Sequence, residues 1–325
     1  MRGIESLHRR AMLVTFFIAC MGAHNAIAQS TFPTKPVTIH VPFTAGGFSD
    51  TVARSVGAGL STLWNASVVV ENRPGGGGFI SAGVVIKSAA DGYVLFLANV
   101  ATNAINPNVF LNPPFDVQEE LEPVILVART PNLLAVGNEQ SIKSVKEFAE
   151  ISKAQQLTFG TPGIGSSGHL SAEMFASRVG VKFLHIPYKG SRQVLLDVVN
   201  GNLQFVIDNV LTWAPLANAG RVRPIAVTGL KRSPLLPDVP TLDESGYPGF
   251  EASSWFGIAA PKNTPREIIA KLNADINAVI STPDFLAKVT GAEVVGGTAE
   301  SFKAYIAAER KQWGQVTRSI NLTSD

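Results

Sequence analysis

The chain has 325 residues, of which 46% are hydrophobic and 16% are charged. This balance excludes an intrinsically disordered chain, which would combine low hydrophobicity with high charge. A single cysteine excludes a disulfide-stapled fold, and a chain of this length usually forms about two domains. The formal net charge is +2 and no basic block stands out, so the sequence offers no support for nucleic-acid binding.

The N-terminus predicts an export signal. Three arginines flank or precede an apolar run over residues 11–20, and the sequence Ala-Ile-Ala at 26–28 offers a small-x-small cleavage site. We expect cleavage after Ala28 and export from the cytoplasm. The alternative is a lipoprotein acylated at Cys20, although residues 17–19 fit the usual lipoprotein context poorly. In either case no cysteine remains in the body of the protein, which excludes a disulfide or a thiol nucleophile there.

Strands and a helix alternate at the start of the predicted mature chain. Apolar runs predict strands over residues 37–41, 67–71 and 93–98. Between the first two, apolar residues at helical spacing predict a helix over 49–64. This alternation predicts a parallel sheet that is covered by helices.

The same pattern restarts in the middle of the chain, where a capping box that begins at Ser144 predicts a helix. The apolar runs then predict strands over 157–159, 181–186, 203–207 and 222–227, and helices over 167–179 and 191–199. The predicted fold class is therefore α/β, with two helix-covered and mainly parallel sheets.

The last third of the chain is predicted to be mostly helical. Thr264 is the expected N-cap of one helix, with Pro265 at the first helical position and Glu267 completing a capping box. Thr298 is expected to open another helix. The proline-rich stretch 233–248 is expected to be a surface loop.

Two glycine-rich loops each follow a predicted strand and precede a predicted helix. One spans residues 42–50 (PFTAGGFSD) and the other spans 161–169 (TPGIGSSGH). Glycine lets the backbone approach a ligand closely, and the free N–H groups at a helix N-terminus bind anions. Ligands of open α/β sheets bind at the carboxyl ends of strands, so the two loops predict one anion-binding cleft. Taken singly, each loop is equally consistent with a plain turn.

Motifs for cofactors and catalysis are incomplete. Residues 163–168 match the dinucleotide pattern G-x-G-x-x-G, but the acidic residue expected about 20 positions later is missing. Ser167 lacks the G-x-S-x-G context because His169 stands where the second glycine belongs. The glycine run 75–78 lacks the Lys-Ser/Thr of a phosphate loop. We expect no cofactor, no metal and no enzymatic activity.

Short segments along most of the chain carry a family resemblance. They are 32–36 (FPTKP), 41–47 (VPFTAGG) with Asp50, 71–78 (ENRPGGGG), 90–93 (ADGY), 187–190 (PYKG), 238–242 (DVPTL), 255–257 (WFG) and 260–265 (APKNTP). In these segments the chain resembles the periplasmic substrate-binding proteins of tripartite tricarboxylate transporters, the Bug-type receptors. The resemblance implies a two-lobed type II periplasmic-binding-protein fold that closes on a small carboxylate and passes it to a membrane permease.

The resemblance also implies a domain organisation. A signal peptide over 1–28 would precede a discontinuous first lobe, 29–130 with 251–325, and a second lobe over 131–250. A monomer is expected. Two alternatives remain open: the same fold serving as a ligand-sensing subunit, and an exported α/β enzyme, which the missing catalytic motifs disfavour.

The site residues that the resemblance implies lie in the strand-to-helix loops of both lobes, which hold the ligand carboxylate in this family. In the first lobe they are Phe43, Thr44, Gly47, Phe48, Ser49 and Asp50. In the second lobe they are Gly163, Ser166, Ser167 and His169, with Tyr188, Lys189 and Gly190 nearby and Asp208 and Asn209 also facing the cleft.

Phe48 departs from the family pattern, in which the residue after the glycine pair is small, polar or proline. Phe79 likewise follows the third glycine run. Because an aromatic ring in a cleft can stack on an aromatic ligand, we expect an aromatic mono- or dicarboxylate such as terephthalate, phthalate or benzoate. The alternative ligand is an aliphatic, citrate-like di- or tricarboxylate. The alternative place for Phe48 is beneath the helix, as a hydrophobic staple.

Overall fold

The structure is a computed structural model that describes residues 32–324. The predicted signal peptide, the cleavage site after Ala28 and Cys20 lie outside the described residues. Residues Lys35–Asp325 form one compact unit. Of the other unit, Met1–Thr34, only residues 32–34 are described.

Ten strands of the larger unit form one sheet in the order β2-β1-β3-β9-β4-β7-β5-β6, with β8 and β10 also paired to β4. Their bounds are β1 Val37–Val41, β2 Val68–Asn72, β3 Val94–Asn99, β4 Leu121–Gly137, β5 Thr158–Thr161, β6 Leu184–Pro187, β7 Phe205–Asn209, β8 Val222–Val227, β9 Ser253–Pro261 and β10 Glu293–Val294. All seven strands predicted from the sequence are present, most of them displaced by one to three residues.

The long strand β4 divides the sheet into two halves. Its residues 121–131 pair with β9, whereas residues 132–137 pair with β7 and, on the other edge, with β8. The first half contains β1, β2, β3, β9 and β10, and the second half contains β5, β6, β7 and β8. In each half the outer strands are parallel, and the strands next to β4 run antiparallel to it.

Strands β4 and β9 were not predicted from the sequence. Most of their residues are buried on both faces of the sheet, so neither strand shows the alternation of polar and apolar residues that marks a half-buried strand. The two strands nevertheless make the central pair of the sheet, because β9 returns to β4 after the whole second half has been formed.

Eleven α-helices cover this sheet within the described residues. They are α1 Phe48–Trp64, α2 Phe79–Ile86, α3 Asn106–Val109, α4 Val117–Glu120, α5 Val145–Ala154, α6 Ser167–Val179, α7 Ser191–Val199, α8 Val210–Asn218, α9 Arg266–Ile280, α10 Pro283–Lys288 and α11 Ala299–Ser319. A 3₁₀ turn at Gly76–Gly78 precedes α2, and a π-helical turn at Ala101–Ile105 precedes α3. The α/β fold class is confirmed.

Helix caps follow the prediction at two positions and not at a third. The hydroxyls of Ser144 and Thr298 each accept a hydrogen bond from the backbone N–H three residues later. Thr264, in contrast, is not an N-cap, and this prediction is wrong. Its hydroxyl donates to the carbonyl oxygen of Pro261 at 2.7 Å, and Pro265 takes the N-cap position of α9 without a side-chain cap.

The core fills both halves of the sheet with large aromatic side chains. Among the largest fully buried side chains are Phe96 and Trp255 in the first half and Phe148, Phe159 and Trp213 in the second. Close packing of such side chains fixes the strand ends on which the loops depend. No helix within residues 32–324 is long and apolar enough to cross a bilayer.

Candidate binding cavity

A cavity that opens to solvent is lined by residues from both halves of the sheet. The lining residues are Phe43, Thr44, Gly47, Phe48, Ser49, Asn99, Val100, Ala101, Pro162, Ser166, Ser167, Ser191, Asp208, Asn209, Ser254 and Phe256. Nine of them belong to the fifteen site residues predicted above.

The cavity lies at the carboxyl ends of parallel strands, where the helices begin. Phe48, Ser167 and Ser191 are the first residues of α1, α6 and α7, and Asn209 is the N-cap of α8. Four helices therefore direct their N-terminal dipole ends towards one volume. A helix N-terminus presents free N–H groups and a partial positive charge, so four of them favour an anion.

The caps of these helices leave backbone donors available to a ligand. Only α6 has a side-chain cap, in which Ser166 Oγ accepts from the N–H of His169 at 3.3 Å. Gly47, Gly190 and Asn209 stand at the N-cap positions of α1, α7 and α8, and none of them forms a side-chain cap. Glycine has no side-chain oxygen, so the cap residues of α1 and α7 do not compete with a ligand for the first N–H groups. In α1 the Phe48 N–H is already engaged, since it donates to Thr212 Oγ1 at 3.2 Å.

Asp208 is the only ionisable side chain among the lining residues, and the lining contains no lysine, arginine or histidine. The residue is 1% exposed. Burial raises the pKa of Asp208, against hydrogen bonds from Ser191, Trp213 and the Asn209 N–H that favour the charged form. An anion in this cavity is therefore held by N–H and hydroxyl donors and not by a cation.

A hydroxyl pair joins the two halves of the sheet at the wall of the cavity. Ser167 Oγ, at the start of α6, lies 2.5 Å from Ser254 Oγ in β9 and 3.2 Å from Asn132 Oδ1 in β4. Because Asn132 Oδ1 only accepts, Ser167 donates to it, and Ser254 then donates to Ser167. The pair places two hydroxyls at the cavity wall in a defined orientation.

Phenylalanine side chains form the apolar part of the wall. Phe43 and Phe48 contribute from the first glycine-rich loop, and the ring of Phe48 meets that of Phe256 edge-to-face with centroids 5.5 Å apart. Phe48 thus faces the cavity and packs at the same time. Phe79 does not line the cavity, because its ring packs against Phe110 and Phe115 in the core.

Asp50 lies in the predicted loop but does not line the cavity. Its carboxylate accepts hydrogen bonds from Arg54 Nε at 3.0 Å, Asn72 Nδ2 at 3.0 Å and the Gly46 N–H at 3.1 Å. Burial alone would raise the pKa of Asp50, but these bonds outweigh burial and hold the pKa below its ordinary value. The side chain therefore stabilises the conformation of the loop and does not contact the cavity.

His169 is also turned away from the cavity. Its Nδ1 accepts from the Gly165 N–H at 3.1 Å, and its ring stacks on His185 with centroids 3.9 Å apart. Burial, with a smaller contribution from His185, lowers the pKa of His169 to about 3. Burial lowers the pKa of His185 to about 4. Both imidazoles are therefore neutral near pH 7 and supply no cation.

The remaining predicted residues lie at the edge of the cavity. Gly163, Tyr188 and Lys189 line a neighbouring cavity that shares Phe43 and Ser166 with the first. Residue 190, a glycine, lies directly against Thr44, and the Thr44 N–H donates to the Lys189 carbonyl oxygen at 3.1 Å. The loops of the two sheet halves are thus in contact.

Seven lining residues were missed by the sequence analysis: Asn99, Val100, Ala101, Pro162, Ser191, Ser254 and Phe256. Residues 99–101 directly follow the predicted strand 93–98, as the two glycine-rich loops follow predicted strands. Their position at a strand end was the signal by which they could have been found. Ser254 and Phe256 gave no such signal, because the strand β9 that carries them was itself not predicted.

The comparison with known families decides the identity. The tripartite tricarboxylate transporter family receptor, TctC, matches residues 52–322. The chain belongs to this family. Members of the family are periplasmic solute-binding receptors and not enzymes, so the receptor prediction and the prediction of no enzymatic activity are both confirmed.

The receptor has relatives along almost its whole length. Protein BugT of Bordetella pertussis is 33% identical, covering 96% of this chain and 98% of its own. The structure of Rpa4515 from R. palustris with adipate is 37% identical with a TM-score of 0.87, covering 90% of this chain and 99% of its own. MatC from Rhodopseudomonas palustris with bound malate is 29% identical with a TM-score of 0.84, covering 88% and 99%.

Proposed function

We propose that the cavity binds a small carboxylate and that the receptor delivers it to the membrane permease of a tripartite transporter. The carrying observation is the convergence of four helix N-termini on a cavity whose lining has no cationic side chain. Helix dipoles and hydroxyls bind a carboxylate without a permanent countercharge, so binding and release both remain feasible. Two relatives with bound dicarboxylates support this ligand class.

We further propose that the ligand has an aromatic body. Phe43, Phe48 and Phe256 line the cavity, and Phe48 and Phe256 pack edge-to-face, so aromatic rings form part of the wall that a planar ligand would contact. Benzoate, phthalate and terephthalate combine such a body with the carboxylate. The second candidate is an aliphatic dicarboxylate, favoured by the adipate-bound relative, since a methylene chain also packs on aromatic walls.

The proposed mechanism is closure of two lobes on the ligand. The lobes would be 29–130 with 251–325, and 131–250. The pairing of β4 supports this division, because it changes from β9 to β7 between Pro131 and Asn132. A ligand that contacts both sheet halves stabilises the closed state by its differential affinity for that state. The closed receptor then presents one surface to the permease, and we propose that it acts as a monomer.

We propose that the receptor reaches the periplasm by cleavage after Ala28. The basic, apolar and small-residue regions of the first 28 residues carry this proposal, with acylation at Cys20 as the alternative. N-terminal sequencing of the secreted protein decides between them. A mature chain that begins at Gln29 supports cleavage, and a blocked N-terminus at Cys20 contradicts it.

Thermal unfolding against a carboxylate panel tests the ligand class. A ligand at about 100 times its Kd stabilises the native state by about 2.7 kcal/mol, a readily measured shift in Tm. We expect a shift with benzoate, phthalate or terephthalate and a smaller one with adipate, malate and citrate. Tight binding of citrate with no binding of any benzene carboxylate would contradict the aromatic proposal.

Variants at Phe48 test whether the aromatic lining of the cavity is responsible for the Tm shift with aromatic ligands. Phe48→Leu keeps an apolar side chain at the start of α1 but removes the ring, so we expect it to weaken aromatic ligands more than adipate. Phe48→Ala should abolish the aromatic shift. Leu63→Ala, at an exposed position of the same helix outside the cavity, is the matched control and should leave all shifts unchanged.

A further inference from the structure

Asn209 presents a buried hydrogen-bond acceptor at the cavity wall. The residue is 9% exposed, ends β7 and lines the cavity. Within residues 32–324, its Oδ1 has no hydrogen-bond partner. Buried polar atoms are almost always paired, so an unpaired one at the wall of a ligand cavity indicates a partner that arrives with the ligand.

Asp208 determines which end of the Asn209 amide is already paired. Asp208 Oδ1 accepts from Asn209 Nδ2 at 3.3 Å and from the Asn209 N–H at 2.8 Å. Because this oxygen acts as the acceptor of the Asn209 N–H, it engages the amide nitrogen, which is the donor end of the side chain, and not the amide oxygen. Trp213 Nε1 donates to Asp208 Oδ2 at 3.1 Å and holds the carboxylate in place.

The position of Asn209 makes this arrangement unusual for a structural asparagine. It occupies the N-cap of α8, where an asparagine oxygen normally accepts from the N–H groups of the first turn. Here the side chain forms no cap, because its nitrogen is engaged by Asp208. The oxygen is therefore not used by the helix, in a residue that lines the cavity.

We propose that the ligand carries, besides its carboxylate, an uncharged O–H or N–H group that donates to Asn209 Oδ1. This inference rests on the proposed function and refines its ligand class. The carboxylate would lie at the helix N-termini, whose backbone N–H groups are donors, and the second group would meet the unpaired amide oxygen of Asn209. A second ionised carboxylate offers no donor to this oxygen.

Matched ligands test the proposal by calorimetry at pH 7. Each of the three hydroxybenzoates is compared with benzoate and with the methoxybenzoate of the same substitution, which keeps the oxygen but loses the donor. Succinate and malate form an aliphatic pair. We expect at least one hydroxy acid to bind about tenfold tighter than its partners, because a site built to pair a hydroxyl discriminates strongly against analogues without it.

Two variants assign the preference to Asn209. In Asn209→Ala the ratio of affinities between hydroxy acid and partner should fall to near one. Asn209→Ser is used in parallel because serine is a good N-cap and preserves the start of α8. The serine side chain is shorter, so its hydroxyl oxygen does not reach the position of Asn209 Oδ1. Phe48→Leu is the matched control: it weakens both members of an aromatic pair and leaves their ratio unchanged.

The outcomes separate the inference from the function it rests on. Equal affinity for hydroxy acids and their partners in the unaltered receptor overturns the inference and leaves carboxylate binding standing. A preference for hydroxy acids that persists in both folded Asn209 variants also overturns it, since another group then accepts the hydrogen bond from the ligand hydroxyl. If no carboxylate in either panel binds, the proposed function fails and the inference falls with it.

Discussion

The N–H of Thr44 donates to the carbonyl oxygen of Lys189 at 3.1 Å, which joins the loop after β1 directly to the loop after β6. These loops belong to opposite halves of the sheet. The bond uses backbone atoms only, so it requires close approach and no particular side chain. At the neighbouring position, residue 190, only glycine permits that approach: a Cβ there would lie 1.9 Å from Thr44 Oγ1 and 3.1 Å from the Thr44 N.

Gly190→Ala should therefore weaken ligand binding without unfolding the protein. The φ of Gly190 is 166°, an extended value that any residue adopts, so the variant is strained only where the two loops meet. We expect affinity to fall by about tenfold, in line with the cost of overpacking a close contact. Calorimetry gives the affinity, and the Tm of the ligand-free protein should change little.

A second glycine variant controls for the added methyl group. Gly83→Ala lies in α2, where the new Cβ would be 3.4 Å from the ring of Phe115 and far from the loops in question. It should leave affinity unaltered. Unchanged affinity in Gly190→Ala as well would show that the loops do not need to meet when the ligand is bound.

Asp50 should contribute to stability more than to ligand contact. Asp50→Asn replaces an acceptor of three hydrogen bonds that is only 6% exposed, so we expect a loss of about 1–3 kcal/mol in the free energy of unfolding. Urea unfolding measures the loss. A variant of normal stability that fails to bind carboxylates would instead place Asp50 in the ligand contact.

The contribution of Asp50 should also disappear in acid. Its folded pKa lies below the ordinary value of 3.8, so its stabilisation is present above that pH and is lost as the pH falls through the folded pKa. The difference in stability between the unaltered protein and Asp50→Asn should therefore be constant near neutral pH and shrink below about pH 4. A difference that grows in acid would contradict the bracing role.

The stacked imidazoles should make the receptor sensitive to mild acid. Burial lowers the pKa of His169 to about 3 and that of His185 to about 4, against 6.5 in the unfolded chain. The unfolded state therefore takes up protons first as the pH falls below 6.5, and the Tm should decline steadily from there towards pH 4.

NMR identifies the groups responsible for this decline. The imidazole C–H resonances of both residues should stay unshifted down to about pH 5, and His185→Gln should flatten the pH dependence of the Tm. Glutamine retains a side-chain partner for Thr161 Oγ1, which lies 2.7 Å from His185 Nε2. A resonance of either residue that titrates near pH 6.5 would show that the pair is not buried in solution.

Trp213→Phe should destabilise the protein in a pH-dependent manner. The variant removes the Nε1 donor of Asp208 and so raises the pKa of that buried carboxyl further. An acid with a raised folded pKa loses stability as the pH rises from its ordinary value through the folded one. We therefore expect the loss, about 1–3 kcal/mol, to be larger at pH 8 than at pH 5.

The matched control is a second tryptophan whose indole N–H also donates to an aspartate. Trp64 Nε1 donates to Asp275 Oδ2 outside the cavity, so Trp64→Phe should leave carboxylate affinity unaltered. Trp213→Phe should weaken it, because Asp208 would then orient Asn209 less firmly. Equal destabilisation at both pH values would indicate a packing effect alone.

Much of the α/β framework followed from local sequence. The helices 167–179 and 191–199 were predicted with their observed bounds, because an apolar stripe and a strong start signal lie within the same few residues. The two glycine-rich loops were placed correctly at strand ends for the same reason. The family resemblance then pointed to nine of the sixteen residues that line the cavity.

What the tertiary structure alone decided was the pairing of distant segments and the direction of side chains. Strand β9 pairs with β4 across more than a hundred residues of sequence and brings Ser254 and Phe256 to the cavity. No local sequence pattern predicted this pairing. Asp50 and His169 share loops with lining residues yet point elsewhere, since Arg54 and His185 engage them. Periodicity specifies local structure, whereas only packing between remote segments selects which side chains reach the ligand.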